Sequence, residues 1–333
     1  MIDYQKTKVR YVNPNVWFNH KFLEFERSFN EKSGELSRAS IAEHNGLKFI
    51  MYYNTSKDNE VESMWIHGSL HKYSNFLKGI SAPNQFNDEL KSKGFNGNDF
   101  TYNDFIAVLD NLEREFAIDF EHSNLHHLEI GLNCKHDLRT DKILDGLVLH
   151  YGAYFNSERS NYKYIQRATK GQVIIKAYDK TLQYGLFHEV LRFEAKYKKM
   201  QRINELNIYS LTDLRCKANW DQLFKELLRQ FDQVFFIDHL MNKESLNNKE
   251  LSRLKDYSSQ AYWANVLPQH RDRHKKRYGV IETKCDGNTK ETIKKLLGTT
   301  YDGLVDCVRI DSSSNKSDIT QLRILNEHFG LVG

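Results

Sequence analysis

The sequence predicts an α+β fold: an antiparallel sheet with helices on one face, followed by a mostly helical C-terminal portion. Three observations carry that expectation. Short runs rich in β-branched and aromatic residues alternate apolar and polar side chains, the two-residue period of half-buried strands. Between them, one stretch repeats apolar residues at three- and four-residue steps, the period of an amphipathic helix. From about residue 210 the strand signal fades and helical spacing takes over, so the chain divides into residues 1–210 and 211–333.

Taken in order, "LKFIMYYNTS" (47–56) and "SMWIHGSLHKYSN" (63–75) read as paired strands. "SAPNQFNDELKSKGFNGND" (81–99), rich in Asn and Gly, reads as a loop. In "NDFIAVLDNLEREFAID", Phe105, Leu109, Leu112 and Phe116 mark the buried stripe of a helix. Strands follow at "LHHLEIGLN" (125–133), "KGQVIIKAYDK" and the start of "EVLRFEAKYKKM" (189–200). Beyond residue 210, "NWDQLFKELLRQFDQVFFIDHLM", "KELSRLKDYSSQAYWANVL" and "TKETIKKLLG" have helical spacing, before a polar tail.

Composition excludes some classes. No run approaches the ~18 apolar residues of a transmembrane helix, and the N-terminal "MIDYQKTKVRYVNPN" lacks the apolar core of a secretory signal. The four cysteines, Cys134, Cys216, Cys285 and Cys307, show no metal-ribbon or disulfide spacing. A reduced, cytoplasmic protein without membrane partners is the expectation. Net charge is only +4, so local clustering says more than the total. The densest basic run is "HRDRHKKRYG" (270–279), either a solvated helix face or a phosphate-contacting element.

The strands carry the chemistry. Residues two apart on a strand share a face, so Leu128, Ile130 and Leu132 oppose His127, Glu129, Gly131 and Asn133. Likewise Val173, Ile175 and Ala177 oppose Lys176, Tyr178 and Lys180, while Leu191, Phe193 and Ala195 oppose Arg192, Glu194 and Lys196. One sheet face thus collects two carboxylates, a histidine and a strand-end tyrosine. Carboxylate oxygens suit a hard cation such as Mg²⁺ or Mn²⁺, which can polarise a phosphodiester. A tyrosine, with an ordinary pKa of ~10, becomes a nucleophile beside a cation or base, and Lys180 and Arg192 stand in position to help. The alternative is that Tyr178 caps a core edge and bonds a backbone carbonyl.

"HLEIG", "KAYDKTLQ" and "VLRFEAKYK", in this order and spacing, resemble the replication initiators encoded by gene II of filamentous bacteriophages, within the wider HUH endonuclease group. The resemblance covers about residues 45–210. It implies an HUH-like nicking and joining domain over 1–210 and a DNA-binding region over 211–333. The implied protein nicks one strand of an origin through a covalent 5′-phosphotyrosine, starts rolling-circle replication, and rejoins the strand afterwards. Its implied partners are single- and double-stranded origin DNA and the host helicase and polymerase, in a bacterial cytoplasm. Tyr178 maps onto the family's nucleophile with Lys180 after it, and Glu129 and Glu194 map onto its acids. The name-giving His-hydrophobe-His motif is replaced by His127-Leu128-Glu129, which makes His127 the third candidate metal ligand. A relaxase or transposase of the same chemistry, or a non-catalytic DNA-binding regulator, remains the alternative.

Candidate DNA contacts complete the expectation. Ser69, His71 and Lys72 would touch DNA from the second strand, since His67 and His71 would stand roughly 13 Å apart along it and could not share a metal. Arg192 would face DNA near the site, and Arg271, Arg273, Lys275 and Lys276 would do so from the basic run. Tyr184 is either a second nucleophile or a tyrosine at the solvent edge. Tyr262 and Trp263 could stack on unpaired bases or pack in a core.

Overall fold

A computed structural model of the protein describes residues 1–29, 34–54, 60–83 and 94–306. Its strands are β1 (Ile2–Arg10), β2 (Glu26–Phe29), β3 (Leu36–His44), β4 (Leu47–Asn54), β5 (Glu60–Ser69), β6 (Asp119–His136) and β7 (Leu147–His150). They continue as β8 (Ala153–Tyr154), β9 (Asn156–Ser160), β10 (Lys163–Lys170), β11 (Val173–Asp179), β12 (Glu189–Tyr197) and β13 (Val234–Phe236). The helices are α1 (Pro14–Phe18), α2 (Leu70–Leu77), α3 (Tyr102–Phe116), α4 (Thr140–Asp145), α5 (Lys180–Tyr184) and α6 (Gln201–Asn204). After them come α7 (Lys217–Asp232), α8 (Asn248–Tyr257), α9 (Gln260–Asn265), α10 (Pro268–Lys284) and α11 (Thr289–Val305). The expected antiparallel sheet and helical C-terminal portion are both present.

Ten strands form one antiparallel sheet in the order β2-β3-β4-β5-β1-β6-β12-β11-β10-β9, and β13-β7-β8 form a small second sheet. The alternation read from the sequence decides which way the main sheet faces. Leu128, Ile130, Leu132, Ile175, Ala177, Phe193 and Ala195 point into one core. Phe105, Leu109, Leu112 and Phe116 of α3, Trp220, Leu223 and Leu227 of α7, and Ile293 and Leu297 of α11 fill it from the other side. Helix α3 begins at a reciprocal cap in which the Thr101 and Asp104 side chains each bond the other's backbone N–H.

This core runs across residue 210, because α7 and α11 cover the same sheet as α3. A second core joins Leu149 of β7, Ile237, Leu254 and Tyr257 of α8, Trp263 of α9 and Tyr278 of α10. Trp263 and Tyr257 are buried there, and Tyr262 bonds His274, so Trp263 is a packing residue.

Two elements differ from expectation. The N-terminal segment is a central strand, β1, between β5 and β6. Its inward residues include Gln5 and Thr7, which bond each other at 2.6 Å, so no apolar alternation announces it. The segment 63–75 is not one strand: β5 ends at Ser69, whose side chain accepts the Lys72 N–H and starts α2. Residues 84–93 of the expected loop, Cys307 and the polar tail lie outside the described residues. Among the described residues Cys134, Cys216 and Cys285 are free, and no helix is long and apolar enough to cross a membrane.

Candidate active site

The site is set by register on β6, β12 and β11. Pairing places Lys176 beside Glu194 beside Gly131, and Tyr178 beside Arg192 beside Asn133, with Lys196 opposite Glu129. Glycine is needed at 131: a Cβ there would stand 2.4 Å from the Glu194 Cβ and 2.8 Å from the Phe193 carbonyl oxygen. Its absence leaves room for the Glu194 side chain on the polar face.

Glu129 and Glu194 come together as expected, and a cation already stands between them. Lys176 Nζ donates to Glu129 Oε2 at 2.9 Å and to Glu194 Oε1 at 2.7 Å. Laid end to end, these distances hold the two carboxylate oxygens within about 5.6 Å of each other. The remaining oxygens are also taken. Lys196 Nζ lies 2.7 Å and His127 Nε2 3.3 Å from Glu129 Oε1. Arg192 Nε and the Tyr178 hydroxyl donate to Glu194 Oε2 at 2.6 and 3.0 Å. Burial alone would raise the Glu194 pKa, but Lys176 and Arg192 outweigh it and hold the carboxyl below its usual range. Burial likewise works against the Lys176 charge, and Glu194 and Glu129 outweigh it, raising that pKa.

A divalent cation does not fit this arrangement. All four oxygens accept from nitrogen or hydroxyl donors, and an ammonium fills the point where both carboxylates converge. Among the described residues no group of three His, Cys, Asp or Glu side chains could hold a metal ion. The ligand set Glu129, Glu194 and His127 expected from sequence is assembled as an ion cluster around Lys176, a residue the alternation placed on this face without giving it a role.

Tyr178, the penultimate residue of β11, is half-buried, with its hydroxyl on Glu194. Burial, then the Glu194 charge, push its pKa well up, so the resting phenol is protonated. It borders a cleft of about 430 Å³ whose other walls include Tyr162, Lys163, Tyr164, Arg167, Lys176 and Gln183. Lys180 is buried at the first turn of α5. Its Nζ bonds Asn96 Oδ1 at 2.6 Å and lies 4.9 Å from the centroids of both the Tyr178 and Tyr184 rings. It therefore supports the ring and does not touch the phenol oxygen. Burial, then Arg192, depress its pKa well below the ordinary value. Tyr184 is buried too and donates to Asn96, which corrects its placement at the solvent edge.

Four expected DNA contacts are corrected. Arg192 is 2% exposed, with Nε on Glu194, Nη1 on Asn133 at 2.9 Å and Nη2 on Asp3 at 3.0 Å. Loop residues Asn96 and Asn98 close over this network: Asn96 donates to Asp3, and Asn133 donates to the carbonyls of both. Ser69 is buried and bonds Asp3. His71 sits on helix α2, not on a strand, and is buried against Phe100 with Nε2 on Asn98 at 2.8 Å. Burial lowers its pKa to about 3. Arg271 is tied to the carbonyls of Val266, Gly152 and Trp263 and to the Tyr154 hydroxyl. By contrast Lys72 is half-buried on α2, Arg273 and Lys276 are exposed on α10, and Lys275 is half-buried there, 3.9 Å from Asp272.

A basic and aromatic strip that the sequence reading missed continues from the carboxylates across β6, β1, β5 and β4. Lys196 lies over the Tyr4 ring, which meets His127 edge-on and bonds His67 through its hydroxyl. Lys6 and Lys8 then stand 4.7 and 5.9 Å from the Trp65 centroid, with His126 at 4.7 Å and Tyr52 at 6.5 Å between rings. The signal was present in "YQKTK" and "MWIH", at two-residue spacing.

No family model and no curated protein matches the sequence. Among solved structures, the chain is similar to a rolling circle replication initiator protein from Geobacillus stearothermophilus, with a TM-score of 0.36 and 8% identity. The match covers 78% of this chain and 96% of that one.

Proposed function

We propose that this protein is a DNA nickase of the rolling-circle replication class, with Tyr178 as its nucleophile. The observation that carries the reading is a phenol near the end of β11 that opens onto a cleft lined by Lys163, Arg167 and Lys176 as well as by Asp179 and Glu194, while its hydroxyl is held on the buried Glu194 carboxylate. The resemblance of "HLEIG", "KAYDKTLQ" and "VLRFEAKYK" to the gene II initiators of filamentous phages supports the same assignment.

In the proposed step the Tyr178 oxygen attacks phosphorus and the phenolic proton passes to Glu194 Oε2. The bond to the 3′ oxygen breaks, leaving a 5′-phosphotyrosine and a 3′ end that takes a proton from water. Arg192 and Lys176 keep Glu194 ionised and able to accept. Because Glu194 is held below its usual pKa, it is a weak base and the phenol keeps its proton until phosphate is in line. Lys163, Arg167 and Lys176 line the cleft and can offset phosphate charge. Rejoining is the reverse: the 3′ hydroxyl attacks the phosphotyrosine and Glu194 returns the proton. The strip from Lys196 to Trp65 would carry the unpaired strand, cations on phosphates and Trp65 on a base. Origin DNA is thus the proposed substrate, and host helicase and polymerase would use the 3′ end.

The test is covalent capture of a labelled single-stranded oligonucleotide carrying the protein's own replicon origin, assayed with and without Mg²⁺ or Mn²⁺. Wild type should form an adduct that mass spectrometry places on the "AYDK" peptide, and Tyr178→Phe should bind the oligonucleotide but form none. Trp65→Ala should weaken that binding roughly 5- to 150-fold, the equivalent of one lost stacking contact of ~1–3 kcal/mol. An adduct that survives in Tyr178→Phe moves the role to another tyrosine. No adduct in any condition with wild type defeats the enzyme reading.

A further inference from the structure

We infer that a pocket at the His126 end of the basic and aromatic strip is a binding site for one nucleotide of a single strand. The phosphate lies on Lys198 and Lys199, and the base on Tyr209. The inference rests on the proposed strip from Lys196 to Trp65 as a single-strand surface and not on Tyr178 chemistry, and its test is read without cleavage.

The pocket holds about 430 Å³ and is lined by Asn124 and His126 of β6, Lys198 and Lys199 just past β12, Asn204 of α6, and Tyr209. That is room enough for a small ligand, for which sites of ~300–1,000 Å³ are usual. Backbone bonds fix its walls. The Lys198 N–H donates to the Gln172 carbonyl at 2.9 Å, so the β11–β12 ladder runs on by one residue and Lys198 shares the face of Lys196, two positions earlier. On the far wall the Leu125 N–H donates to the Tyr209 carbonyl, and the Tyr209 N–H to Asp213 Oδ2, both at 2.8 Å. The Tyr209 backbone is thus tied to β6 while its side chain stays open, 55% exposed. At the remaining rim the His126 ring meets Trp65 at 4.7 Å, which makes pocket and strip one continuous surface.

Charge selects the ligand. Among the described residues Lys198 and Lys199 have no ion-pair partner. The acids of the neighbouring turn are engaged elsewhere, Glu205 with Arg202 and Asp213 with the Tyr209 and Ser210 N–H groups. Burial, then Lys8, Lys6 and Arg10, lower the His126 pKa, so the cations around the pocket are not offset by an anion. Uncompensated ammonium groups suit a phosphate, an open phenol ring suits stacking on a base, and the Asn124 and Asn204 amides can meet base or sugar polar atoms. Free phosphate would leave the ring unused. The join to Trp65 favours a nucleotide within a strand, because a base stacked on Trp65 delivers its neighbour to the His126 rim.

The probe is a labelled oligothymidylate, titrated into the full chain at several salt concentrations. Lys198→Ala with Lys199→Ala should weaken binding and lower the log–log salt slope by about 0.7–1.4 units. Lys255→Ala with Lys295→Ala removes the same charge from exposed positions on α8 and α11 and should change neither. Tyr209→Ala should weaken binding roughly fivefold or more at an unchanged salt slope and melting temperature, since its backbone bonds remain. In proton NMR the oligonucleotide should raise the His126 pKa of wild type, and raise it less in the Lys198, Lys199 double variant. If Trp65→Ala weakens binding while both pocket variants bind like wild type, the strip stands and the pocket is overturned. An equal loss in the Lys255, Lys295 control reduces the effect to net charge and also overturns it. So does thymidine monophosphate competing as well as unlabelled oligonucleotide, which makes this a free-nucleotide site. A wild type that shows the expected binding but forms no covalent adduct sinks the nickase reading and leaves the pocket standing.

Discussion

Replacing Arg192 with methionine separates two accounts of the same residue. Arg192 donates to Glu194, Asn133 and Asp3 at 2.6, 2.9 and 3.0 Å, and its side chain is 3% exposed. Removing one partner from a buried ion pair costs about 3–5 kcal/mol, because the remaining charge is left poorly compensated. Here two carboxylates lose a partner, but neither is stranded. Glu194 keeps Lys176 and Tyr178, and Asp3 keeps Ser69 and Asn96. The lower end, about 3 kcal/mol, is therefore expected, a large share of the ~5–15 kcal/mol that holds most proteins folded. Urea denaturation at pH 7 and low salt should show it as a lower midpoint with an unchanged slope. Asp3→Asn added to Arg192→Met should recover part of the loss, since it removes one of the two uncompensated charges. A phosphate-contacting Arg192 would behave otherwise, with stability intact and the salt dependence of DNA binding flattened by roughly 0.7–0.9 of a log–log unit. That outcome would refute the buried-clamp account.

Gly131→Ala should destabilise the sheet and displace Glu194, since its new Cβ would meet backbone and Cβ atoms at 2.4 to 2.9 Å; a variant with wild-type melting and oligonucleotide adduct yield would show that β6 and β12 can part at no cost. On α10 the exposed Arg273 and Lys276, changed together to Ala, should lower the salt slope of duplex binding by up to about 1.8 units with no loss of melting temperature. Arg271→Ala should do the reverse, melting earlier through the loss of its bonds to three carbonyls and Tyr154. Stability should also fall steadily as pH drops from about 6.5. Burial lowers the pKa of His71 to about 3 and of His67 and His150 to about 4, so the unfolded chain binds protons that the folded chain refuses. Below about pH 4.5 a second loss begins. Burial tends to raise the Glu226 pKa, but its bonds from Arg229, Gln230 and Arg202 hold it near 2, so its stabilisation is present above its ordinary pKa and lost as pH falls toward 2. Urea midpoints measured from pH 8 to 3 should trace both limbs, and a flat profile between 6.5 and 4.5 would contradict the buried neutral histidines.

Local pattern alone determined much of this protein. The alternation in "LEIGLN", "VIIKAYDK" and "VLRFEAK" states which side chains face the core and which share the opposite face, because a strand's period of two depends only on backbone pleat. The same period brought Glu129, Glu194, Lys176 and Tyr178 to one surface before any pairing was known. The helical spacing of Phe105 to Phe116 was equally self-contained. What the sequence left open were relations between distant segments. Nothing near Arg192 announces that Asp3, 189 residues away, and the 96–98 loop will bury it. Nothing within β1 marks it as a central strand, since its inward Gln5 and Thr7 bond each other rather than repeat an apolar pattern. The turn from β5 into α2 at Ser69 moved His71 from a surface to a core. Register between β11, β12 and β6 is likewise nonlocal, and it alone set Lys176 between the two carboxylates. Burial and partnership of polar groups belong to tertiary structure because desolvation depends on everything that closes around a side chain, not on its neighbours along the chain.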